Sequence, residues 1–516
     1  MIVSTFFPAE PFENERTVDG AIMAADEMKV LVVSPEASPF AKTGGLADVA
    51  GSLPPALKRL GLDVRLVMPL YRSVRERHIQ SRPMLQNLPV PFGAVHLRAD
   101  VHEARSQRDV PVYLIEREDL FERPNLYGNA RGDYYDNLER FSFLCHAALL
   151  SAKALSFEPH IVHCHDWQTG LVPALLKGPY GSDPGFGKTA VVFTIHNLGY
   201  QGLFPAEKLS LTGLSPERFF NVEGLEYWGQ ISLLKSGIQY ADGITTVSPT
   251  YAREIQTPEY GMGMEGILRK RAGFLQGILN GVDERQWNPA LDSRIVKAYG
   301  PSHMEGKRHC KRALLEEMGL DAALIHRPLM AMISRLDRQK GLDLLVTAME
   351  DLLALDTGLV VLGSGDETIQ RRIRAEATRH SGRIGIRVGF DEPLAHRIMA
   401  GADLLLMPSR YEPCGLTQMY ALKYGTVPIV RATGGLDDTV MPFDSGKKTG
   451  TGFKFTAYEP GALVSALAEA VGVYKRPKHW ERLVANGMGE DFSWDRSAKR
   501  YTILYQALTN RTGKKA

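Results

Sequence analysis

The stretch KVLVVSPEASPFAKTGGLADV, residues 29–49, decides the fold of this chain. It runs from an apolar segment typical of a buried strand, through a Gly-Gly turn, into a helix-compatible segment with an acid in its first turn. The stretch VPIVRATGGLDDTV, residues 427–440, repeats that order in the other half of the chain. One copy could be an ordinary tight turn that needs glycine for its backbone angles. Two copies predict two strand–turn–helix units whose glycines let the backbone approach a ligand.

Short apolar runs recur along the rest of the sequence and alternate with helix-like segments. Near-continuous apolar strands in this arrangement indicate parallel sheets that are covered on both faces. The chain is therefore predicted to be an α/β protein with two doubly wound, Rossmann-like domains. Strands are expected at 29–34, 63–69, 111–116, 160–165, 190–196 and 243–248, then at 329–335, 358–365, 386–390, 403–409 and 427–433, with helices such as 139–155 and 366–380 between them.

The domain boundaries follow from these two series of strands. Residues 28–275 are predicted to form an N-terminal domain and residues 276–490 a C-terminal domain, with the division near GILNGVDERQWNP (277–289). Residues 1–27 lack the basic start and apolar core of a signal peptide, and we interpret them as a disordered extension. Ligands of open parallel sheets bind beyond the carboxyl ends of the strands. The two sheets are therefore predicted to face each other across a deep cleft.

Composition gives no indication of nucleic acid or membrane as a partner. The 516 residues include 61 basic and 59 acidic residues, for a net charge of +2, which leaves no electrostatic footprint for DNA or an anionic membrane. No run approaches the roughly 18 apolar residues of a membrane span. The four cysteines are scattered without a CxxC motif, which favours a reducing, cytoplasmic location over a disulfide framework. The sequence does not indicate an oligomeric state.

Three cationic residues follow predicted strands and could serve a diphosphate. Lys42 precedes the first Gly-Gly pair, and Arg335 and Lys340 end and follow the strand at 329–335. An Arg–Lys pair over a leaving diphosphate would offset the charge that develops as a sugar–phosphate bond breaks. The chain has no Asp-x-Asp metal motif, and alternation along a strand separates the cysteine of HCHD (163–166) from its histidines. Neither a metal nor a cofactor is therefore expected.

Glu412 stands where the strand at 403–409 gives way to a helix. A proline fits the turn before that helix, and the N–H groups of Cys414, Gly415 and Leu416 would be unpaired in its first turn. Glu412 would lie beside a sugar hydroxyl or a positive anomeric carbon, although charge compensation of the helix N-terminus is an equal alternative.

Two further strand ends carry polar side chains. Asp166 lies beside Trp167, which pairs a carboxylate with an aromatic ring as suits sugar hydroxyls and sugar faces. His196 and Asn197 end the run at 190–196 and are expected to point into the same cleft. A histidine at such a place is more often a fixed hydrogen-bonding group than a base.

One segment imitates a dinucleotide site. GMGMEG (261–266) matches GxGxxG, and Asp283 lies at a suitable distance beyond it. The residues before it, SPTYAREIQTPEY, are typical of a helix and a loop. Without a preceding strand the pyrophosphate turn cannot form, so a nicotinamide site is not expected.

Several longer motifs now occur together and in order. This chain resembles bacterial glycogen synthases and plant starch synthases from about residue 29 to its C-terminus. The motifs that carry the resemblance are KTGGLADV, HDWQTGL, IHNLGYQG, SPTYAREI, LNGVD, SRLDRQKGLD, SRYEPCGLTQMYALKYGTVPIVRATGGLDDTV and DFSWDRSAKRY.

The resemblance implies a GT-B glucosyltransferase. Its members are expected to move glucose from ADP-glucose to the non-reducing 4-hydroxyl of an α-1,4-glucan such as glycogen, with retention at the anomeric carbon and release of ADP. A related GT-B enzyme that uses UDP-glucose is the alternative. The resemblance also implies that residues 491–516 form a helix that crosses back to the first domain.

The resemblance assigns roles residue by residue. The residues that it implies for catalysis are Glu412, Arg335, Lys340 and His196. Phe390 is expected to stack on adenine, and Arg335 and Lys340 to hold the diphosphate. The residues that it implies for substrate binding are Lys42, Gly44, Gly45, Asp48, Tyr127, Asp166, Asn197, Asn280, Phe390, Cys414, Gly415, Leu416 and Thr417.

Two mechanisms remain open for a retaining transfer. A carboxylate can form a covalent intermediate, and Glu412 is the one tempting nucleophile. Alternatively, the leaving phosphate deprotonates the incoming 4-hydroxyl on the same face of the sugar. The second route is favoured, because many groups here serve the phosphate and none is an obvious base beside the acceptor.

Overall fold

The fold was analysed in a computed structural model that describes residues 28–106, 108–129 and 131–513. The predicted extension at 1–27 lies outside the described residues. None of the helices in the described part of the chain is long and apolar enough to cross a membrane.

The chain divides by its internal contacts into two compact units. The N-terminal unit extends to Val247 and takes in Ala252–Gly281 and the C-terminal segment from Trp494 onward. The C-terminal unit contains Ser248–Tyr251 and Val282–Ser493. Each unit is built around its own sheet, which is parallel throughout in the C-terminal unit and mainly parallel in the N-terminal unit.

Every apolar run singled out in the sequence forms a strand, and in most of these strands both faces are buried, so that an apolar side chain is favoured at nearly every position. The strands of the described residues are β1 (Lys29–Val33), β2 (Asp63–Pro69), β3 (Ser81–Phe92), β4 (Val95–Arg105), β5 (Pro111–Glu116), β6 (Gly128–Asn129), β7 (Gly132–Asp133), β8 (Ile161–His165), β9 (Ala190–Ile195), β10 (Leu203–Pro205), β11 (Glu226–Tyr227), β12 (Gln230–Ser232), β13 (Gly243–Thr246), β14 (Leu275–Gly277), β15 (Leu329–Ile333), β16 (Gly358–Gly363), β17 (Ile384–Val388), β18 (Leu404–Met407), β19 (Val427–Arg431) and β20 (Phe453–Phe455).

The helices predicted at 139–155 and 366–380 are present as α4 and α13. The α-helices of the described residues are α1 (Gly45–Arg59), α2 (Arg72–Glu76), α3 (Glu118–Phe121), α4 (Asn137–Ala154), α5 (Leu171–Lys177), α6 (Pro216–Phe219), α7 (Leu233–Tyr240), α8 (Pro249–Glu254), α9 (Glu265–Lys270), α10 (Glu305–Glu317), α11 (Leu342–Thr347), α12 (Met349–Ala354), α13 (Glu367–Arg379), α14 (Glu392–Gly401), α15 (Thr417–Lys423), α16 (Gly434–Thr439), α17 (Pro460–Tyr474), α18 (Pro477–Met488) and α19 (Trp494–Gly513).

The sheet of the N-terminal unit runs in the order β14-β13-β9-β8-β1-β2-β5-β4-β3. The strands from β14 to β5 are parallel. The chain winds outward from β1 through β2 on one side and returns to begin again with β8 on the other. The crevice between β1 and β8 is therefore a topological switch point, where open α/β sheets bind their ligands.

The sheet of the C-terminal unit has the order β17-β16-β15-β18-β19-β20 and is parallel throughout. Its switch point lies between β15 and β18, since the chain moves outward from β15 to β17 and then returns to β18. The side chains that follow β15 and β18 are thus brought together at one edge of this sheet.

The β3–β4 hairpin is a feature that the sequence did not predict. It extends the N-terminal sheet with antiparallel strands beyond β5. β3 is largely exposed and contains three prolines, and proline within a run is ordinarily evidence against a strand interior. An edge position removes that objection, because an edge strand leaves one side of its backbone unpaired.

Candidate active site

Several of the predicted residues of the N-terminal unit gather at the carboxyl ends of β1, β8 and β9. We call Lys42, Asp48, Asp166 and His196, together with the Gly44-Gly45 turn, the N-terminal cluster. Asp166 directly follows β8 and His196 directly follows β9. The Gly-Gly turn follows β1 after a short loop and opens helix α1.

The first Gly-Gly turn leaves its backbone open. Gly44 is exposed, and a Cβ built on it would meet nothing within 4 Å. Helix α1 begins at the next residue, so its first N–H groups and its partial positive charge are presented at this turn. Lys42 lies beside it and donates a 2.7 Å hydrogen bond from Nζ to Asp48 Oδ1, which fixes the lysine over the start of the helix.

Glu36 holds this turn in place and was not singled out from the sequence. Its Oε2 accepts hydrogen bonds from the Thr43 backbone N–H (2.6 Å) and from the Thr43 hydroxyl (2.7 Å). Burial raises the pKa of Glu36 from 4.5 to about 7, against the lowering effect of those hydrogen bonds. The sequence showed only an acid shortly before a Gly-Gly pair, and its burial depends on the fold.

Asp166 is a second buried carboxyl group, and its backbone has a positive φ of 56°. Its Oδ1 accepts a 2.7 Å hydrogen bond from the backbone N–H of His196. Burial raises the pKa of Asp166 from 3.8 to about 7, and the neighbouring Glu36 contributes to that rise. This carboxyl group therefore ties the end of β8 to the end of β9.

The imidazole of His196 is buried among other histidines rather than beside a charge. Its Nε2 lies 2.9 Å from Nδ1 of His165. Burial lowers the pKa of His196 to about 3, so the ring is neutral near pH 7. A fixed hydrogen-bonding role, as the sequence indicated, fits this environment.

Tyr127, Asn197 and Asn280 were also expected to bind substrate. The Tyr127 hydroxyl is buried and has no hydrogen-bond partner among the described residues, and the charges of Glu36 and Asp166 act on it. Asn197 follows His196, and its Oδ1 accepts a hydrogen bond from the Gly199 N–H (2.9 Å). Asn280 follows the edge strand β14. No hydrogen bond between described residues joins Asn280 to the N-terminal cluster.

The expectation that Trp167 offers a face to sugars is wrong. Its ring packs edge-on against Phe141, with centroids 5.2 Å apart, and lies 5.7 Å from the ring of Phe204. A Cβ on Gly202 would come within 2.5 Å of the indole, so backbone covers the ring as well. Trp167 is 7% exposed and belongs to the core, where it begins a short 3-10 helix whose residues are all buried.

The C-terminal unit brings together Arg335, Lys340 and Glu412, which with Ser409 we call the C-terminal cluster. Lys340 donates from Nζ to both carboxylate oxygens of Glu412, at 2.8 and 2.6 Å. Ser409 donates to Glu412 Oε2 at 3.0 Å. The Glu412 side chain is only 6% exposed and the Lys340 side chain 17%. The ends of β15 and β18 thus meet through an ion pair that is largely withdrawn from water.

Arg335 lies beside this pair and is half exposed. Its guanidinium is held by Asp337 Oδ2 at 2.8 Å and by Gln339 Oε1 at 2.8 Å. Gly341 directly follows the short 3-10 helix Arg338–Lys340 with a φ of 77°, and a Cβ there would lie 2.1 Å from the Pro408 carbonyl oxygen. Only glycine fits at this crossing of the β15 and β18 loops.

The loop from Cys414 to Leu416 differs from the prediction. Helix α15 begins at Thr417 with Leu416 as its N-cap, so the three preceding residues do not form the first helical turn. Gly415 has a φ of 67°, in the left-handed region, which cannot continue a right-handed helix. Gln418 donates to the carbonyl oxygens of Cys414 (2.9 Å) and Gly415 (3.1 Å) and thereby fixes this loop.

The second Gly-Gly turn also differs from the prediction, because it is closed. Gly434 and Gly435 are buried. A Cβ on Gly434 would lie 1.9 Å from the Glu412 carbonyl oxygen, and one on Gly435 would lie 2.1 Å from that of Cys414. The Gly435 N–H donates to the Glu412 carbonyl at 3.0 Å. This turn therefore supports the loop that carries Glu412.

Phe390 lies beyond the carboxyl end of β17, after a glycine with a positive φ of 134°. The side chain is 81% exposed, although large aromatic rings are ordinarily buried. Its ring is thus free to stack on a flat ligand.

Two doubly wound units, each with charged side chains at its switch point, define a glycosyltransferase of the GT-B type. Residues 29–270 match the family described as the starch synthase catalytic domain, and residues 325–486 match glycosyl transferases group 1. The chain belongs to the glycogen and starch synthase family, as relatives that are 49% and 45% identical over nearly its whole length show. The predicted family, fold, enzyme class and role in glycogen synthesis are thereby confirmed.

Similar proteins cover nearly the whole chain. The chain is 49% identical over 481 residues to the glycogen synthase of Syntrophotalea carbinolica, and the aligned region covers 93% of this chain and 98% of the relative. It is 45% identical over 487 residues to glycogen synthase 2 of Geobacter metallireducens, and the aligned region covers 94% of this chain and 100% of the relative.

Solved structures give the same result. The catalytic domain of starch synthase IV from Arabidopsis thaliana superposes with a TM-score of 0.87 at 33% identity and covers 94% of this chain and 99% of that one. A sucrose-phosphate synthase from Thermosynechococcus elongatus matches with a TM-score of 0.56 at 18% identity. At that identity the second likeness concerns the fold alone.

Proposed function

We propose that this protein transfers glucose from ADP-glucose to the non-reducing 4-hydroxyl of an α-1,4-glucan, retains the anomeric configuration and releases ADP. The observation that carries the proposal is the Lys340–Glu412 ion pair at the switch point of the C-terminal sheet. It places a cation and a buried carboxylate at the edge of the sheet where open α/β sheets bind their ligands. The related starch synthase IV was solved bound to ADP and acarbose, which supports an adenine nucleotide and a sugar substrate here.

The C-terminal cluster would hold the donor. Arg335 and Lys340 would bind the diphosphate and stabilise the negative charge that grows on it in the transition state. The exposed ring of Phe390 would stack on adenine. The loop Cys414–Thr417 would line the glucose pocket.

The N-terminal cluster would bind through an open backbone and neutral hydrogen-bonding groups. The Gly44-Gly45 turn and Lys42 would receive phosphate at the start of α1, where N–H groups and the helix dipole favour an anion. The uncapped backbone of Gly44 supports this role. Asp166, His196 and Asn197 would contact sugar hydroxyls, as would Tyr127 and Asn280.

We further propose that no metal ion or cofactor is needed. Two cations, Arg335 and Lys340, follow one strand of the C-terminal sheet, and both can donate charge-assisted hydrogen bonds to a diphosphate. Activity that survives a chelator such as EDTA at full rate is the expected result. A loss that Mg²⁺ restores would overturn this part of the proposal.

For the chemical step we favour front-face departure. The bond between C1 and the phosphate oxygen breaks, the bond from C1 to the acceptor O4 forms on the same face, and the 4-hydroxyl proton passes to the departing phosphate. Both carboxylate oxygens of Glu412 are engaged by Lys340 and one also by Ser409, which suits a fixed electrostatic role better than attack. A glucosyl–Glu412 adduct trapped with a slow substrate would establish double displacement instead.

The deciding experiment compares donors. The full-length protein is incubated with ADP-glucose or UDP-glucose, with and without glycogen, and nucleoside diphosphate release and glucan extension are measured. We expect glycogen-dependent release from ADP-glucose and product chains that an α-1,4-specific amylase removes. A preference for UDP-glucose would favour the alternative GT-B enzyme. Glycogen binding without turnover of either donor would indicate a silent glucan-binding protein.

We also propose a cytoplasmic location. All four cysteines are buried as free thiols, which suits a reducing compartment. Fractionation of cells that express the native chain should recover it with cytoplasmic markers.

A further inference from the structure

Three buried histidines, His163, His165 and His196, lie side by side in the N-terminal unit. The ring centroids of His163 and His165 are 4.2 Å apart, and those of His165 and His196 are 5.1 Å apart. Burial lowers the pKa of His163 and His196 to about 3 and that of His165 well below 6.5. Each ring is therefore neutral near pH 7 and carries one N–H.

The ring nitrogens of His163 and His165 differ in how many of them have a hydrogen-bond partner. His163 pairs at both nitrogens, through Nδ1 with the Tyr505 hydroxyl (2.7 Å) and through Nε2 with the Thr194 hydroxyl (2.6 Å). His165 pairs at one, since its Nδ1 lies 2.9 Å from Nε2 of His196. The buried Nε2 of His165 has no hydrogen-bond partner among the described residues.

This difference decides which nitrogen donates. If His196 donated from Nε2, His165 would carry its own proton on Nε2 and would bury an unpaired N–H. If His165 donates from Nδ1, only a lone pair is left unpaired. Orphaned buried N–H groups are rarer in proteins than under-satisfied acceptors. The second arrangement is therefore favoured.

We propose that His165 is a positioning residue that donates from Nδ1 to His196 and fixes His196 as the Nδ1–H tautomer, so that His196 offers substrate a hydrogen-bond donor. Nδ1 of His196 forms no hydrogen bond with any described residue, and the side chain keeps 9% exposure. A donor suits a sugar hydroxyl oxygen or a leaving phosphate, and it excludes His196 as the base for the acceptor hydroxyl. The tautomer is a property of the folded chain, and only the identity of the recipient rests on the proposed function.

Nuclear magnetic resonance tests the tautomer without any assay of activity. The full chain is labelled with ¹⁵N-histidine, and two-bond ¹H–¹⁵N correlations report which ring nitrogen carries the proton. The signals of His196 and His165 are assigned by their loss in His196→Gln and His165→Asn. We expect both residues to be Nδ1–H. A wild-type His196 protonated on Nε2 would overturn the proposal even if glucosyl transfer is confirmed.

A pair of substitutions then links the tautomer to the reaction. His165→Asn can place an amide N–H near the position of Nδ1, whereas His165→Leu removes the donor. Loss of the partner that orients a metal-bound histidine typically costs about 10- to 100-fold in affinity or activity. By analogy we expect His165→Leu to lower kcat by about that factor and to mix the tautomers of His196. His165→Asn should restore most of the loss. Equal losses in both variants, with an unchanged tautomer, would contradict the proposal.

Tyr505→Phe is the matched control. It removes a hydroxyl from the same buried group of histidines but leaves the His165–His196 hydrogen bond in place. We expect a lower Tm, because Nδ1 of His163 loses its partner, with the tautomer of His196 and kcat unchanged. If this variant shifted the tautomer as far as His165→Leu does, His165 would not be the residue that sets it.

Discussion

In the first Gly-Gly turn, Gly44 is exposed, has an extended φ of −158° and has nothing within 4 Å of a built Cβ. In the second turn, Gly434 is buried and has a φ of 46°, and its Cβ would lie 1.9 Å from the carbonyl oxygen of Glu412. The same four letters, Thr-Gly-Gly-Leu, thus serve two purposes. The first glycine keeps space for a ligand, while the second keeps space for another part of the backbone.

The acidic residues that follow the two turns also differ in the groups that they contact. Asp48 pairs with Lys42 of its own turn, so the charge stays at the open surface. Asp438 accepts hydrogen bonds from the Ser248 hydroxyl (2.5 Å) and from the backbone N–H and hydroxyl of Thr250. Asp437 pairs with Lys454 at 2.9 Å. The second turn is therefore fixed on several sides, which suits a support for the Glu412 loop.

The most direct test of this comparison is to replace the first glycine of each turn by alanine, which adds the same methyl group to both. Gly434→Ala should lower the free energy of unfolding by about 3–4 kcal/mol, because it adds overpacking to a left-handed backbone angle. Activity should fall with it, since the Glu412 carbonyl must move. Urea denaturation and ADP release check both effects.

Gly44→Ala is the matched control for that substitution. Its free energy of unfolding should stay within about 0.5 kcal/mol of the wild type, because nothing meets the added methyl group. Its KM for ADP-glucose should rise, since the methyl group occupies the approach of the ligand. Equal destabilisation of both variants would mean that the two turns do not differ as described.

Lys340→Ala tests what the second turn supports. The substitution removes the cation that engages both oxygens of Glu412, and we expect kcat to fall about 100-fold, or about 2.7 kcal/mol, as for loss of one transition-state donor. A double variant with Gly434→Ala should lose less than the sum of the two effects, because both act on Glu412. Strict additivity in kcat would show that the turn and the ion pair act independently.

The sequence was sufficient for most of the parallel strands of both sheets and for the ends of those strands. Apolar runs such as 190–196 needed no tertiary information, because a parallel strand that is buried on both faces is apolar at nearly every position. Motif residues such as Asp166 and Arg335 directly follow those runs, so their edge of the sheet was predictable as well. β3 was missed because only its place at the edge makes its prolines acceptable.

The function of the second turn could not be predicted, because it depends on contacts with residues that are distant in sequence. Whether a glycine faces solvent or another backbone depends on a loop that is distant in sequence, here the one that carries Glu412. Trp167 was misassigned in the same way, since Phe141 and Phe204 cover it from other elements. The support that Glu36 gives to Thr43 depends on the fold of the intervening loop, which no local pattern marks.

Glu36→Gln tests how the buried carboxyl group that holds the first turn affects the stability of the protein. The pKa of Glu36 in the folded protein, about 7, is above its ordinary 4.5, so the native state binds more protons than the unfolded state between these pH values. The free energy of unfolding of the wild type should therefore fall as the pH rises from about 4.5 to 7 and then level off. Glutamine keeps an acceptor for Thr43 without the buried charge.

The expected result is a variant that resembles the wild type near pH 4.5 and is more stable by roughly 2–3 kcal/mol at pH 8. The difference in Tm between the two proteins at these pH values measures it. Asp166, whose pKa is also raised, is present in both proteins, and because Glu36 contributes to that rise the pKa of Asp166 should be lower in the variant. A difference that does not change with pH would contradict the assignment of Glu36.

The smallest effect is expected for Lys42→Ala, at the open turn itself. The Lys42 and Asp48 side chains are 28% and 23% exposed, so their pair contributes less than about 1 kcal/mol to stability. Lys58, which pairs with Asp109 near the other end of α1, supplies the control Lys58→Ala. We expect Lys42→Ala to raise KM for ADP-glucose about fivefold, or about 1 kcal/mol, with kcat within twofold, and Lys58→Ala to change neither. This split follows from the position of Lys42 at a turn that binds phosphate before and during the reaction alike, since binding both states equally changes KM and not kcat. A loss confined to kcat would mean that Lys42 acts only on the leaving phosphate. The role of the first turn would then be closer to that of the second turn than its open backbone indicates.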